Sequence, residues 1–141
     1  MLDAMTTTPV TDTTADLIAA RWTDLWNGNF ALARELCAPD FRIAFAGAGD
    51  ADGTHRGDAV IGPDAFVAFL HEFHAARPGV RFGIEGSAVG ANPEVGHGSS
   101  ACRWYAEFPD GKTVSGIDMF DTADGALVQV WSVTGSRRFP H

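Results

Sequence analysis

The stretch Thr113–Val133, TVSGIDMFDTADGALVQVWSV, decides the fold. It reads as two antiparallel strands around Asp124-Gly125, because an Asp-Gly pair supplies the positive φ angles of a tight hairpin turn. Asp118 interrupts the apolar run between Ile117 and Met119, where a plain core strand would carry another apolar side chain. A second pair, Asp110-Gly111, joins a preceding strand and extends the hairpin into a meander. With both pairs as two-residue turns, Arg103 is predicted opposite Asp118, and Asp118 opposite Trp131. Directly opposed residues share a face. Tyr105, Gly116 and Val133 form the next row, and Phe120 lies on the same face. Cys102, Trp104, Ala106, Phe108, Ile117, Met119 and Val130 fall on the other face, which is largely apolar.

Two arrangements fit this pattern. Either the Arg103–Asp118 face is solvated and the Trp104 face is the core, or both faces are covered. In the second, helices close the mixed face over a polar-floored pocket and the apolar face packs on another subunit. Trp131, Phe120, Tyr105 and Val133 are large for a solvated face, which favours the second. Trp104 is then the candidate for a subunit interface.

Upstream, the periodicity is helical. Ile18, Trp22, Leu25 and Trp26 recur at helical spacing and predict a first helix from Thr13 or Thr14, stopped by Asn27-Gly28-Asn29. A second helix spans Phe30–Cys37, ended by Pro39, and a short strand spans Phe41–Ala46. Gly62-Pro63-Asp64 opens a third helix with the apolar stripe Phe66, Phe69, Leu70 and Phe73, broken at Pro78-Gly79. Strands are predicted over 81–89, 99–108, 113–121 and 127–133. Helices first and a strand meander last make the class α+β. The expected organisation is an N-terminal tail over 1–13, one domain over 14–136 and a C-terminal tail over 137–141.

A chain of 141 residues can bury a real core. Its net charge of −8 argues against nucleic acid or an anionic membrane as a partner, since both need a basic face. Cys37 and Cys102 form no C-x-x-C pair and read as reduced thiols of a cytoplasmic protein. No apolar run approaches membrane-spanning length. His71 and His74 stand three apart on the third helix, but no third ligand accompanies them, so no metal is expected.

WNGNF running into FALARELCAPDFRIAF, then GTHRGDAVIGPDAFVAFL, then SGIDMFDTADGALVQVWSV together resemble the SnoaL-like group of the nuclear transport factor 2-like superfamily over residues 14–135. The resemblance implies a cone: three helices in the N-terminal half packed on a strongly curved, mostly antiparallel sheet. It also implies that Asp118 points into an enclosed pocket, as the acid of polyketide cyclases and ketosteroid isomerases does. The second Asp and the Tyr of ketosteroid isomerases are replaced here, by the Ile43–Ala46 run and by Trp22. The Asp-Arg-Asp set of limonene epoxide hydrolases is also incomplete, with Gly116 and Val133 at two of its positions.

The candidate catalytic residues are therefore Asp118, Arg103 as its electrostatic partner, and His55 in GTHRG as a reserve acid–base group. Trp131, Tyr105, Trp22, Phe45 and Phe120 are the candidate wall. An Arg103 ion pair predicts a charged Asp118 near neutral pH. The expected function is proton transfer next to a carbonyl, without a cofactor, on an apolar oxygenated small molecule: isomerisation, cyclisation or dehydration. The expected assembly is a homodimer through the outer sheet face. A non-catalytic carrier or sensor of a hydrophobic ligand is the alternative.

Overall fold

The computed structural model describes residues 14–47, 51–91 and 93–140. The expected tail over 1–13 lies outside the described residues. Three helices, α1 (Thr14–Trp26), α2 (Leu32–Leu36) and α3 (Pro63–Ala76), pack against a five-stranded sheet. The strands are β1 (Cys37–Ala46), β2 (Arg81–Ala91), β3 (His97–Glu107), β4 (Thr113–Ala123) and β5 (Ala126–Thr134), and a 3₁₀ turn covers Arg56–Ala59. The sheet order is β1-β5-β4-β3-β2, parallel only between β1 and β5. This is the α+β cone expected. Pro39 does not end a helix; it sits inside β1, an edge strand, where a missing N–H is tolerated.

Register irregularities interrupt β1, β2 and the β4–β5 pair. Such bulges bend and twist a strand, and here they curl the sheet around the helices. The concave face carries the core. Trp22 stacks flat on Phe66 (5.3 Å, 4°), and Phe41 and Phe120 pack edge-on or tilted against the same indole. Asn27 ties the end of α1 to β2: its amide donates to the Phe82 carbonyl and its carbonyl accepts the Phe82 N–H.

The meander is one residue out of the expected register on both sides of β4. The first turn is a three-residue loop, not a two-residue one. Gly111 N–H donates to the Phe108 carbonyl and Phe108 N–H to the Lys112 carbonyl, with Gly111 at φ +88°. That is a type I turn with Pro109 at its second position, closed by a left-handed glycine. Cys102 therefore opposes Asp118, and Arg103 opposes Ile117. The second turn is the tight hairpin expected, with Asp124 and Gly125 both at positive φ. Beyond it, Thr122 pairs with Leu127 but Asp121 with Gln129, so Val128 is an extra residue. Asp118 consequently opposes Ser132, and Met119 opposes Trp131.

The row across the sheet is thus Cys102–Asp118–Ser132, not Arg103–Asp118–Trp131. Trp104 and Ala106 turn inward with Asp118, whereas Arg103, Tyr105 and Trp131 turn outward.

Candidate active site

Asp118 reaches the site because β4 alternates. Val114, Gly116, Asp118, Phe120 and Thr122 face inward and are all buried. Asp118 is 4% exposed. The Trp22 indole N–H donates to Oδ2 at 2.8 Å and the Trp104 indole N–H to Oδ1 at 2.9 Å. The Ser132 hydroxyl donates a third hydrogen bond. Burial raises the carboxyl above the ordinary aspartate range, against the opposing pull of Ser132, Trp22 and Trp104. No guanidinium contributes, so the expected charged pair with Arg103 is replaced by a desolvated carboxyl among neutral donors.

The Trp104 bond depends on Gly116. A Cβ there would lie 2.2 Å from the Trp104 ring and 2.5 Å from the Val133 carbonyl. The absent side chain lets the indole lie flat across β4 and reach the carboxyl two residues on.

Asp118 lines a cavity of about 590 Å³. Trp22, Trp26, Phe45, Phe69, Phe73, Phe82 and Trp104 supply most of its wall, with Ser132, Thr134 and Cys102 beside the carboxyl row and Arg56 and Arg77 among the charged residues. That volume suits a small organic ligand. The Cys102 thiol is pushed up to about 12 by burial and by the neighbouring Asp118 charge, so it stays protonated and is no nucleophile.

His55 lines the same cavity. Its ring stacks on Phe45 (4.6 Å, 25°), and its Nδ1 accepts the Gly57 N–H at 2.9 Å. Asp58 returns the contact by accepting the His55 backbone N–H. With Nδ1 committed as an acceptor, the neutral ring carries its proton on Nε2.

Of the expected site residues, the structure brings Asp118, His55, Trp22 and Phe45 to one cavity. Arg103 is exposed on the outer face. Tyr105 also faces outward, under the Arg138 guanidinium at 3.9 Å. Trp131 is 45% exposed on that side. Phe120 is fully buried behind Trp22, in the core rather than the wall. The slip between β3 and β4 accounts for Arg103 and Tyr105, and the slip between β4 and β5 for Trp131. The first slip hid Trp104, which turns inward and donates to Asp118, and the second hid Ser132. On α3, His74 Nε2 donates to the Trp26 carbonyl and His71 packs on Phe30. Among the described residues no group of acidic, His or Cys side chains could hold a metal ion, and no helix is long and apolar enough to cross a membrane.

Residues 19–130 match the family model described as the SnoaL-like domain. The chain belongs to the SnoaL-like domain family. Solved structures share its fold. A proposed isomerase of the SnoaL-like family from Agrobacterium tumefaciens is 19% identical, with a TM-score of 0.68 over 86% of this chain and 97% of that one. IdmH, a proposed polyketide cyclase from Streptomyces antibioticus, is 20% identical (TM-score 0.59, 85% and 91% covered). A proposed ketosteroid isomerase from Kribbella flavida is 18% identical (TM-score 0.64, 94% and 87% covered). A comparison with curated proteins finds no match. At these identities the likeness is one of fold. What a SnoaL-like domain does depends on the groups its own cavity presents.

Proposed function

We propose that this SnoaL-like domain is an enzyme that moves a proton next to a carbonyl on an apolar, oxygenated small molecule, without a cofactor. The observation that carries the reading is the buried Asp118 carboxyl, open to the cavity and held through both oxygens by indole N–H donors. A carboxylate raised in pKa is a stronger base than one in water. The two indoles and the Ser132 hydroxyl occupy three of the four lone pairs and leave one for the substrate proton. Asp118 takes the proton from the carbon beside the ligand carbonyl. The enolate oxygen gains charge in that step, and the Nε2–H of His55, which lines the same cavity, is the donor offered to it. Asp118 then returns the proton at another carbon for isomerisation. In cyclisation the enolate carbon attacks a second carbonyl and the alkoxide formed takes the proton back from Asp118; in dehydration the β-hydroxyl takes that proton and leaves as water. The names of the structural neighbours, isomerase and polyketide cyclase, accord with this chemistry.

The same reading includes a homodimer through the outer face of β4 and β5, where Met119, Trp131 and Val133 are exposed, and a cytoplasmic setting, with which two buried free thiols accord. The second reading, a carrier or sensor, rests on the same aromatic cavity.

The test is deuterium exchange at the acidic C1 position of 2-tetralone, followed by NMR. The wild type is expected to accelerate exchange, and Asp118→Asn to slow it at least about 100-fold. Binding of 2-tetralone with exchange no faster than in buffer would favour the carrier.

A further inference from the structure

Two arginines line the cavity, and they differ. Arg56 is paired with Glu72 (2.5 Å). Arg77 is exposed and has no carboxylate partner among the described residues, although the chain carries 18 acidic residues against 10 basic ones. Its guanidinium carbon lies 4.4 Å over the ring of Phe73, which lines the same cavity. The negative end of α3 favours a cation at this place. It does not require one stacked on the cavity wall. A guanidinium lying on an aromatic face keeps its N–H edge directed outward, in the fork that a carboxylate fits with two parallel hydrogen bonds.

The spacing follows from the helix. Trp22, which donates to Asp118, stacks on Phe66. Phe66, Phe69, Phe73 and Arg77 follow one another along one side of α3, and the guanidinium sits over Phe73. From Phe66 to Phe73 the axis rises about 10 Å, at about 1.5 Å per residue. That is the length of two or three fused rings.

We propose that the ligand carries a carboxylate that Arg77 holds at the mouth of the cavity, two or three fused rings away from the carbonyl that faces Asp118. The substrate class is then a flat keto acid with its polar groups at opposite ends, the apolar body lying between Phe69, Phe73 and Phe82. This deepens the proton-transfer reading and rests on it for the position of the carbonyl.

The probe is 6-acetyl-2-naphthoate, compared with its methyl ester, by calorimetric titration at low ionic strength. In the wild type the acid should bind at least about tenfold more tightly than the ester, with added salt weakening the acid alone. In Arg77→Gln the two should bind within about twofold of one another, and Arg77→Lys should keep part of the preference. Equal binding of acid and ester to the wild type, a preference that survives Arg77→Gln, or no binding of either compound overturns the proposal. Deuterium exchange of the acetyl protons is read separately. Exchange that is lost in Asp118→Asn but equal for acid and ester would sink the Arg77 assignment and leave the proton-transfer reading standing. A preference removed by Arg77→Gln without any exchange would do the reverse.

Discussion

The carboxyl of Asp118 is pulled two ways. Desolvation favours the protonated form, while two indoles and a hydroxyl favour the charged one, and burial prevails. The consequence for stability has a definite sign. In strongly acidic solution the folded and unfolded chains both hold the proton, and the site contributes no pH dependence. As pH rises past the ordinary aspartate value of about 3.9, the unfolded chain releases its proton while the folded chain keeps it, so folding is progressively disfavoured. The loss is complete once pH exceeds the raised folded value. Asp118→Asn has no such titration. Its amide nitrogen faces one indole N–H without an acceptor, a cost that does not change with pH. The unfolding free energy of the wild type minus that of Asp118→Asn should therefore fall as pH rises from about 4, in urea titrations at matched ionic strength. A difference that is flat or rising would contradict the buried, raised carboxyl. At this scale the sequence marks Asp118 plainly, because an acid set between Ile117 and Met119 inside a β-strand is rare without a reason. Trp22 was legible as wall. Its role as a hydrogen-bond donor was not, since a helix position predicts a face and not which ring atom meets a strand 96 residues later.

Elements place the second indole. Trp104 reaches Asp118 only because β3 and β4 are in the register set by Pro109-Asp110-Gly111, and only because Gly116 leaves room. Gly116→Ala puts a methyl into a space bounded by an aromatic ring and a backbone carbonyl, and the carbonyl belongs to a paired strand. The indole must move. The substitution is expected to destabilise the fold by about 1–3 kcal/mol, as overpacked sites do. It should also shift the Trp104 indole N–H resonance away from its hydrogen-bonded position, measured by ¹⁵N NMR with Trp104→Phe to assign the signal. An unmoved resonance in a folded Gly116→Ala protein would show that the contact does not hold the ring. The helices, the strand order in the meander and the second turn were legible, because periodicity and Asp-Gly chemistry are local. The register was not fully so. Pro109 before Asp110-Gly111 is a signal for the longer loop, since proline suits the second position of a type I turn and leaves glycine to close it. Val128 carries no comparable mark: an extra valine in a strand of valines looks like any other strand residue.

For the whole molecule, the two one-residue slips, one on each side of β4, exchange the faces of β3 and β5. The concave face takes Trp104 and closes over the cavity, and the convex face takes Trp131. Part of that convex face is covered by the chain's own end. Ser115 N–H donates to the Arg137 carbonyl, and Phe139 N–H donates to the Ser115 hydroxyl. Arg138 lies over Tyr105 and pairs with Glu85 (2.8 Å). Beyond this strap, Met119 faces Trp131 and Ile117 faces Val133 across the β4–β5 pair. Met119, Trp131 and Val133 are 47%, 45% and 46% exposed. A contiguous apolar patch of this kind on a curved sheet is what a partner surface covers. A second copy of the chain, related by a two-fold axis, presents the same patch and matches it without further design. The wild type is therefore expected to run at twice its 15.0 kDa mass in light scattering at tens of micromolar. Trp131→Glu places a charge at the centre of the patch and should shift the mass to the monomer. Its cavity lies on the other side of the sheet, so ligand binding and α-proton exchange by the monomeric variant should persist at wild-type order. A wild type that scatters as a monomer, or a Trp131→Glu variant that remains a dimer, would remove this face from the assembly.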